Sequence, residues 1–82
     1  MIEKLRKIIS ENTFIEIKEL EAISQDELLS NLGLDSINLI YVVGEIEREF
    51  EFTFAEEELV LENFETINKI VKLVEKHLKI KA

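Results

Sequence analysis

Apolar residues recur at intervals of three and four along three stretches of this chain. Such spacing places them on one face of an α-helix, because a helix turns once in about 3.6 residues. The pattern predicts a first helix that ends near Asn12, a second from Ser36 to about Phe50 and a last one that begins near Ile67. The apolar stripes comprise Ile2, Leu5, Ile8 and Ile9; Leu39, Val43, Ile46 and Phe50; and Ile67, Ile70, Val71, Val74 and Leu78.

The segments between these stripes show no sustained period. Between the first two helices we expect an extended loop that places apolar side chains in the core, namely Phe14, Ile15, Ile17, Leu20 and Ile23. Capping-box patterns begin at Ser24, which predicts a helical turn through about Ser30, and at Thr53, which predicts a short helix to about Val60.

These elements predict an all-α fold, a small four-helix bundle with three longer helices and one short helix. Each longer helix has one apolar face, so the helices must bury those faces against one another around a common core. The chain of 82 residues contains no proline and only two glycines, which favours helices. At this length we expect a single domain over residues 1–82.

The chain is acidic, with a net charge of −8. Binding to a nucleic acid backbone requires a basic surface, so the charge argues against that class of partner. Residues 11–65 hold sixteen acidic residues and two basic ones, Lys18 and Arg48, which favours partners with basic patches as much as it favours a simple solvated surface. No stretch reaches the roughly 20 apolar residues of a membrane span, and we expect a cytoplasmic monomer without membrane contact.

Asp35 and Ser36 stand at the start of the second predicted helix. Either side chain can serve as the N-cap and accept a hydrogen bond from a free amide. Gly33 supplies the conformational freedom for a sharp turn before them. A phosphate ester on Ser36 would lie beside free amides at the positive end of the helix dipole. Taken alone, however, such a pair is most often a helix cap and nothing more.

The outer face of the helix that starts at Ser36 is unexpectedly apolar. At about 100° per residue, two isoleucines, a tyrosine and a glycine fall opposite the core-facing stripe. An exposed apolar patch of this kind marks a contact site, unless neighbouring loops cover it. The predicted docking residues are Ile37, Ile40, Tyr41, Gly44, Glu45, Glu47 and Arg48.

The sequence offers no set of catalytic or metal-binding residues. It contains no cysteine, and therefore no thiolate ligand and no thiol nucleophile. A serine hydrolase would need a base and an orienting acid beside Ser36, whereas the pattern places the only histidine, His77, on a surface turn of the last helix. Glu56 and Glu57 point in different directions and form no acid/base pair. We therefore predict no catalytic residue, no metal and no enzymatic activity.

The run Gly33-Leu34-Asp35-Ser36-Ile37 resembles the Gly-x-Asp-Ser-Leu or Ile signature of acyl carrier and peptidyl carrier proteins. Those families are small four-helix domains that carry substrates as thioesters. The resemblance extends along nearly the whole chain, through its length, acidity and helix order. It includes Glu47-Arg48-Glu49-Phe50 at the end of the second predicted helix and Asn63-Phe64-Glu65-Thr66-Ile67 at the start of the last.

This resemblance implies that Ser36 carries 4′-phosphopantetheine, attached from coenzyme A by a phosphopantetheinyl transferase. Asp35 is expected to help position that transferase or its magnesium. The terminal thiol of the arm would hold an acyl group as a thioester and so supply the thiol that the chain lacks. The implied partners are the transferase and the enzymes that load and process acyl or aminoacyl groups in fatty acid or secondary metabolite biosynthesis.

One departure from the family pattern leaves the cargo open. Fatty-acid-synthesis members usually carry acidic residues at the start and outer face of this helix, where the present chain has Asn38, Tyr41 and Gly44. That face looks more like the docking face of aminoacyl or peptidyl carriers, which an adenylating enzyme loads in a specialised pathway. The alternative from another class is an unmodified helical interaction module, in which Ser36 is only a cap.

Overall fold

The computed structural model of the chain describes the backbone of residues 1–81 and the side chains of residues 1–79. The bundle has four α-helices, which are α1 (Ile2–Glu11), α2 (Ile17–Ala22), α3 (Ser36–Phe50) and α4 (Ile67–Lys81). Three short 3₁₀ helices lie in the connections, at Leu29–Leu32, Glu56–Glu58 and Leu61–Phe64. No β-strand occurs within residues 1–81. The predicted all-α, four-helix bundle is therefore confirmed.

Helix α1 runs antiparallel to α3, whereas α4 runs parallel to it. Lys4 near the start of α1 pairs with Glu49 near the end of α3, with 3.5 Å between Nζ and Oε1. His77 near the end of α4 stacks on Phe52, which follows α3 directly. The starts of α3 and α4 therefore lie at the same end of the bundle, and that end holds Ser36.

Each long helix turns the apolar stripe that its sequence predicts toward the core, although five stripe residues are only partly buried, namely Ile2, Val43, Phe50, Val71 and Leu78. The fully buried side chains are Leu5 and Ile9 of α1, Leu20 of α2, Val42 and Ile46 of α3, Ile70 and Val74 of α4, and Leu29, Phe64 and Ile67. Burial of one such side chain contributes roughly 1.5–3 kcal/mol, so packing stabilises these helices more than their intrinsic propensity does. No helix in the described part of the chain is long and apolar enough to cross a membrane.

The connection between α1 and α3 differs from the predicted loop because it contains α2. The Glu16 N–H donates to the Glu19 carboxylate (3.0 Å) in the first turn of this helix. Ile15 and Leu20 enter the core as predicted, but Phe14 is 99% exposed and Ile17 is 43% exposed, so the predicted burial of these two residues is wrong. A helix of six residues that buries only Leu20 is too short to show a period in sequence.

Both capping-box predictions are wrong, because the side chains at Ser24 and Thr53 do not form the predicted pairs of hydrogen bonds. The Ser24 hydroxyl accepts from the Asp26 N–H (3.1 Å), and the chain forms a turn there instead of a helix. In the second segment the Glu58 carboxylate accepts from the Ala55 N–H (2.7 Å), and a single 3₁₀ turn ends before Val60. Segments this short do not nucleate an α-helix on their own, so local contacts and tertiary packing decide their shape.

Candidate functional site

Asp35 is the N-cap of α3. Its backbone is extended (φ −121°, ψ 176°), and its Oδ1 accepts a hydrogen bond from the Asn38 N–H at 2.8 Å. The Asp35 carbonyl accepts the first helical hydrogen bond, from the Leu39 N–H at 2.9 Å. The sequence left the cap open between Asp35 and Ser36, and the geometry gives this role to Asp35.

Ser36 is the first residue of α3, and its side chain is exposed. Because Asp35 supplies the cap, the Ser36 hydroxyl is not required for it, and no group in the described residues forms a hydrogen bond with that hydroxyl. The first turn of α3 contains no acidic residue. A phosphate ester on Ser36 would therefore gain about 0.3–1 kcal/mol from the helix dipole.

A tight turn brings the chain to Ser36. Gly33 adopts a left-handed conformation with φ of 105°, and its N–H donates to the Ser30 carbonyl at 3.1 Å. The next residue, Leu34, is buried, and its N–H donates to the Leu29 carbonyl at 3.2 Å. The glycine permits the turn, and the buried leucine anchors it to the core, so the position of Ser36 is fixed by its local sequence.

Two hollows border Ser36. The larger, which we call the Ser36 groove, has a volume of about 400 Å³ and separates α3 from the chain that follows the second 3₁₀ turn; it is lined by Ser36, Leu39, Ile40, Val43, Leu59, Leu61 and Phe64. The smaller, of about 290 Å³, is lined by Leu28, Ser30, Leu34, Asp35, Ser36, Leu61, Phe64 and Glu65. Apart from Ser36, the lining of the groove is entirely apolar, so this groove suits a hydrocarbon chain.

Leu59 and Leu61 are contributors to the groove that the sequence argument missed. Leu59 is 47% exposed and Leu61 is 59% exposed, although both are large apolar residues. They belong to an apolar run, residues 59–61, that interrupts a long acidic stretch. That interruption was the available signal, but only the fold shows that the run faces α3.

The outer face of α3 is exposed as predicted. Ile37, Ile40 and Tyr41 are 67%, 70% and 62% exposed, respectively. Gly44 is also exposed, and a Cβ atom added there would meet nothing within 4 Å. We call these four residues the outer patch. It adjoins the groove, because Ile40 belongs to both.

The charged residues near the outer patch have different surroundings. Arg48 is exposed and forms a salt bridge with Glu45 one turn earlier. Glu47 is half-buried, and its carboxylate accepts a hydrogen bond from the Phe54 N–H at 2.9 Å. Glu47 therefore holds the chain that follows α3, while Glu45 and Arg48 remain at the surface beside the patch.

His77 is not on a surface turn, and the sequence prediction for this residue is wrong. Its Nε2 lies 2.7 Å from Oε1 of Glu58, and its ring stacks on Phe52 with 4.5 Å between ring centroids. Burial raises the pKa of Glu58, but hydrogen bonds from the Ala55 N–H and from His77 outweigh it and hold that pKa below its usual value. His77 thus pairs with Glu58 near the end of α4, away from Ser36.

Comparison with known proteins agrees with this geometry. A family model described as a phosphopantetheine attachment site matches residues 3–74. An acyl carrier protein homolog of Mycoplasmopsis pulmonis is 33% identical over 57 residues, which cover 70% of this chain and 75% of the relative. The acyl carrier protein of Coprothermobacter proteolyticus is 27% identical over 78 residues, which cover 95% and 90%, and that of Clostridium perfringens is 26% identical over 77 residues, which cover 94% and 96%. No solved structure gave a match.

The family match and the geometry lead to the same cofactor. Ser36 presents an exposed hydroxyl without a hydrogen-bond partner in the described residues, and an apolar groove begins beside it. These features fit a phosphate ester that bears a long flexible arm, and the cofactor of this protein is 4′-phosphopantetheine. The chain belongs to the acyl carrier protein family of phosphopantetheine-binding proteins.

Proposed function

We propose that Ser36 bears the 4′-phosphopantetheine arm and that the protein holds acyl intermediates on it as thioesters for partner enzymes. The observation that carries this proposal is the exposed Ser36 hydroxyl at the N-terminus of α3, with Asp35 already serving as the cap. The Ser36 oxygen would form a bond to the phosphorus that carries pantetheine in coenzyme A. Adenosine 3′,5′-bisphosphate would leave, and the hydroxyl proton would pass to a base of the transferase.

The surroundings of Ser36 indicate which chemical groups this protein supplies and which a partner enzyme must supply. The only histidine of the chain is bonded to Glu58 near the end of α4, so Ser36 has no histidine base of its own to activate it. A partner enzyme must therefore supply the base. Asp35 keeps its second carboxylate oxygen for the transferase or its magnesium, since Oδ1 accepts the cap hydrogen bond. The arm would supply the thiol, because the chain contains no cysteine.

The docking surface in this proposal is the outer patch with Glu45 and Arg48 at its edge. An exposed apolar patch beside the modified residue offers partners a contact that desolvates on binding. Glu47 contributes from beneath this surface, through the hydrogen bond that holds Phe54. The phosphopantetheinyl transferase and acyl-processing enzymes are the proposed partners, and a cytoplasmic location and a monomeric state stay predictions.

An aminoacyl or peptidyl cargo is the second candidate within the same class. The first turn of α3 contains no acidic residue, and three large apolar side chains are exposed in its first two turns, namely Ile37, Ile40 and Tyr41. This apolar face favours partners that dock by hydrophobic contact, as adenylating enzymes do with the carriers they load. Parallel loading reactions would decide the cargo: one with an adenylating enzyme, ATP and an amino acid, the other with an acyltransferase and malonyl-coenzyme A.

Intact mass spectrometry tests the attachment itself. The protein would be incubated with a phosphopantetheinyl transferase, magnesium and coenzyme A, and we expect the mass of one arm to be added. Ser36→Ala should gain nothing, while the matched control Ser30→Ala, also exposed and beside Ser36, should gain one arm. No gain in the wild type would refute the proposal and leave the unmodified interaction module. An equal gain in Ser36→Ala would also refute it, because another residue would then bear the arm.

A further inference from the structure

The far wall of the Ser36 groove belongs to a segment with very little regular structure. We call residues 55–61 the wall segment. It contains the 3₁₀ turn Glu56–Glu58 and the start of the next one, Leu61–Phe64. Leu59 and Leu61 of this segment line the groove opposite α3. A single 3₁₀ turn is not stable by itself, so other contacts must hold these two leucines in place.

Glu58 makes most of those contacts. Its carboxylate accepts hydrogen bonds from the Ala55 N–H (2.7 Å) and contacts His77 Nε2 (2.7 Å) and Lys76 Nζ (3.4 Å). Its carbonyl accepts from Asn63 Nδ2 at 2.9 Å. Only 8% of Glu58 is exposed, and a carboxylate at this depth is stable only when such groups surround it. Glu58 thus connects the start of the wall segment, and Asn63 just beyond its end, to α4.

His77 continues this connection toward the groove. Its ring stacks face to face on Phe52 and meets Phe54 edge to face, with 4.5 Å and 5.6 Å between centroids. Phe54 in turn meets Phe64 edge to face at 5.4 Å, and Phe64 lines the groove. A row of rings therefore connects His77 to the floor of the groove, and such pairs have preferred geometries that resist sliding.

We propose that the contact between Glu58 and His77 is a clamp that fixes Leu59 and Leu61 and thereby sets access of arm-borne cargo to the Ser36 groove. Both residues act through the wall segment, so each is a positioning residue. The inference about cargo rests on the proposed function, whereas the inference about the wall segment does not. Lys76 is 62% exposed and contributes less, because solvent screens its charge.

The first test measures backbone hydrogen exchange in the full-length protein without the arm. The reporters are the amides of Leu59 and Val60, which donate to the Glu56 and Glu58 carbonyls. Glu58→Gln and His77→Phe should exchange roughly tenfold faster there, since loss of one charge-assisted hydrogen bond shifts an opening equilibrium by about that factor. The phenylalanine keeps the ring on Phe52 and removes only the polar contact.

The matched control is Glu57→Gln, which removes the same charge from the neighbouring exposed residue. Its Leu59 and Val60 amides should exchange at the wild-type rate, whereas in the two clamp variants the amides of α1 and α3 that exchange through global unfolding should accelerate only as far as the loss of stability requires. Exchange in Glu58→Gln and His77→Phe equal to that of the control would overturn the clamp.

The second test measures cargo access on protein whose mass confirms an attached arm. Octanoyl and acetyl thioesters would be cleaved with hydroxylamine, and in the wild type we expect the octanoyl thioester to react more slowly. In Glu58→Gln and His77→Phe the two rates should become equal, while Glu57→Gln keeps the wild-type difference. Equal rates in the wild type, or an unchanged difference in both clamp variants, would overturn the inference about cargo. Failure to attach any arm would instead refute the proposed function and leave the exchange result standing.

Discussion

The Ser36 end of α3 and the wall segment form the two sides of one groove, but they are held in different ways. Around Ser36, the cap joins Asp35 to Asn38, and the preceding turn joins Gly33 to Ser30. The decisive contact of the wall segment joins Glu58 to His77, 19 residues later. The cap and the turn at the attachment site therefore use local contacts, although the Leu29 N–H also donates to the Glu65 carbonyl (2.8 Å) just before α4. The opposite wall depends on α4 itself. Loss of the contact between Glu58 and His77 should therefore alter the groove and leave the cap and the turn at Ser36 unchanged.

The largest effect on stability should come from Phe64, which connects the wall to the core. Phe64 is 1% exposed and lines both hollows, so Phe64→Ala should lower the free energy of unfolding by about 3–5 kcal/mol. Leu61 lines the same groove from an exposed position, so Leu61→Ala should lower the free energy of unfolding by about 1 kcal/mol or less. Urea denaturation measures both. Similar losses would mean that the floor of the groove is not part of the core.

Acid should weaken the wall through Glu58. Its folded-state pKa is lowered, so the folded protein binds this proton less readily than the unfolded chain does. The resulting stability is fully present above the unfolded pKa of about 4.5 and is lost as the pH falls through the lower folded pKa. Glu58→Gln should cost about 1–3 kcal/mol at neutral pH and should lose less stability than the wild type as the pH falls below the unfolded pKa of Glu58.

Denaturation series at several pH values would measure this difference. Glu57→Gln removes an exposed carboxylate with no hydrogen bond in the described residues, and it should keep the acid sensitivity of the wild type. If Glu58→Gln retained the same steep loss of stability in acid, Glu58 would not be the carboxylate that links the wall to α4.

This contrast also explains which features the sequence could predict. The three long helices and a cap at Asp35 or Ser36 depend on spacings of three and four, which are visible in the chain, and the structure gives the cap to Asp35. The pair of Glu58 and His77 has no such spacing, because it exists only once α4 packs beside the wall segment. The prediction for Phe14 was wrong for a different reason: its apolarity suggested burial, but Ile15 just before α2 and Leu20 within α2 enter the core instead. Periodicity thus predicted the position and the apolar face of each long helix. It could not predict contacts between two elements that are distant in the sequence.

A smaller effect on stability is expected at Asp35, and two substitutions should separate its role as the N-cap from its proposed role in arm attachment. Asp35→Ala removes the acceptor for the Asn38 N–H and should cost about 1 kcal/mol of stability, whereas Asp35→Asn keeps an acceptor and should cost much less. If the carboxylate also helps the transferase or its magnesium, both variants should slow arm attachment despite their different stabilities. Denaturation and initial rates of mass gain measure the two properties. Attachment at the wild-type rate in Asp35→Asn would limit Asp35 to the cap.

The smallest effect on stability should come from substitutions in the outer patch, where a change is expected only in the binding of partner enzymes. Tyr41 is 62% exposed on α3 and Phe14 is 99% exposed in the connection after α1, so Tyr41→Ala and Phe14→Ala should each change stability by about 0.5 kcal/mol or less. For the transferase, Tyr41→Ala should raise KM roughly fivefold to tenfold, because a contact that desolvates a ring contributes about 1 kcal/mol or more. Phe14→Ala should leave KM unchanged, since Phe14 lies on another element. Equal increases would mean that partners respond to exposed apolar surface in general, and then the face of α3 would not be the docking surface.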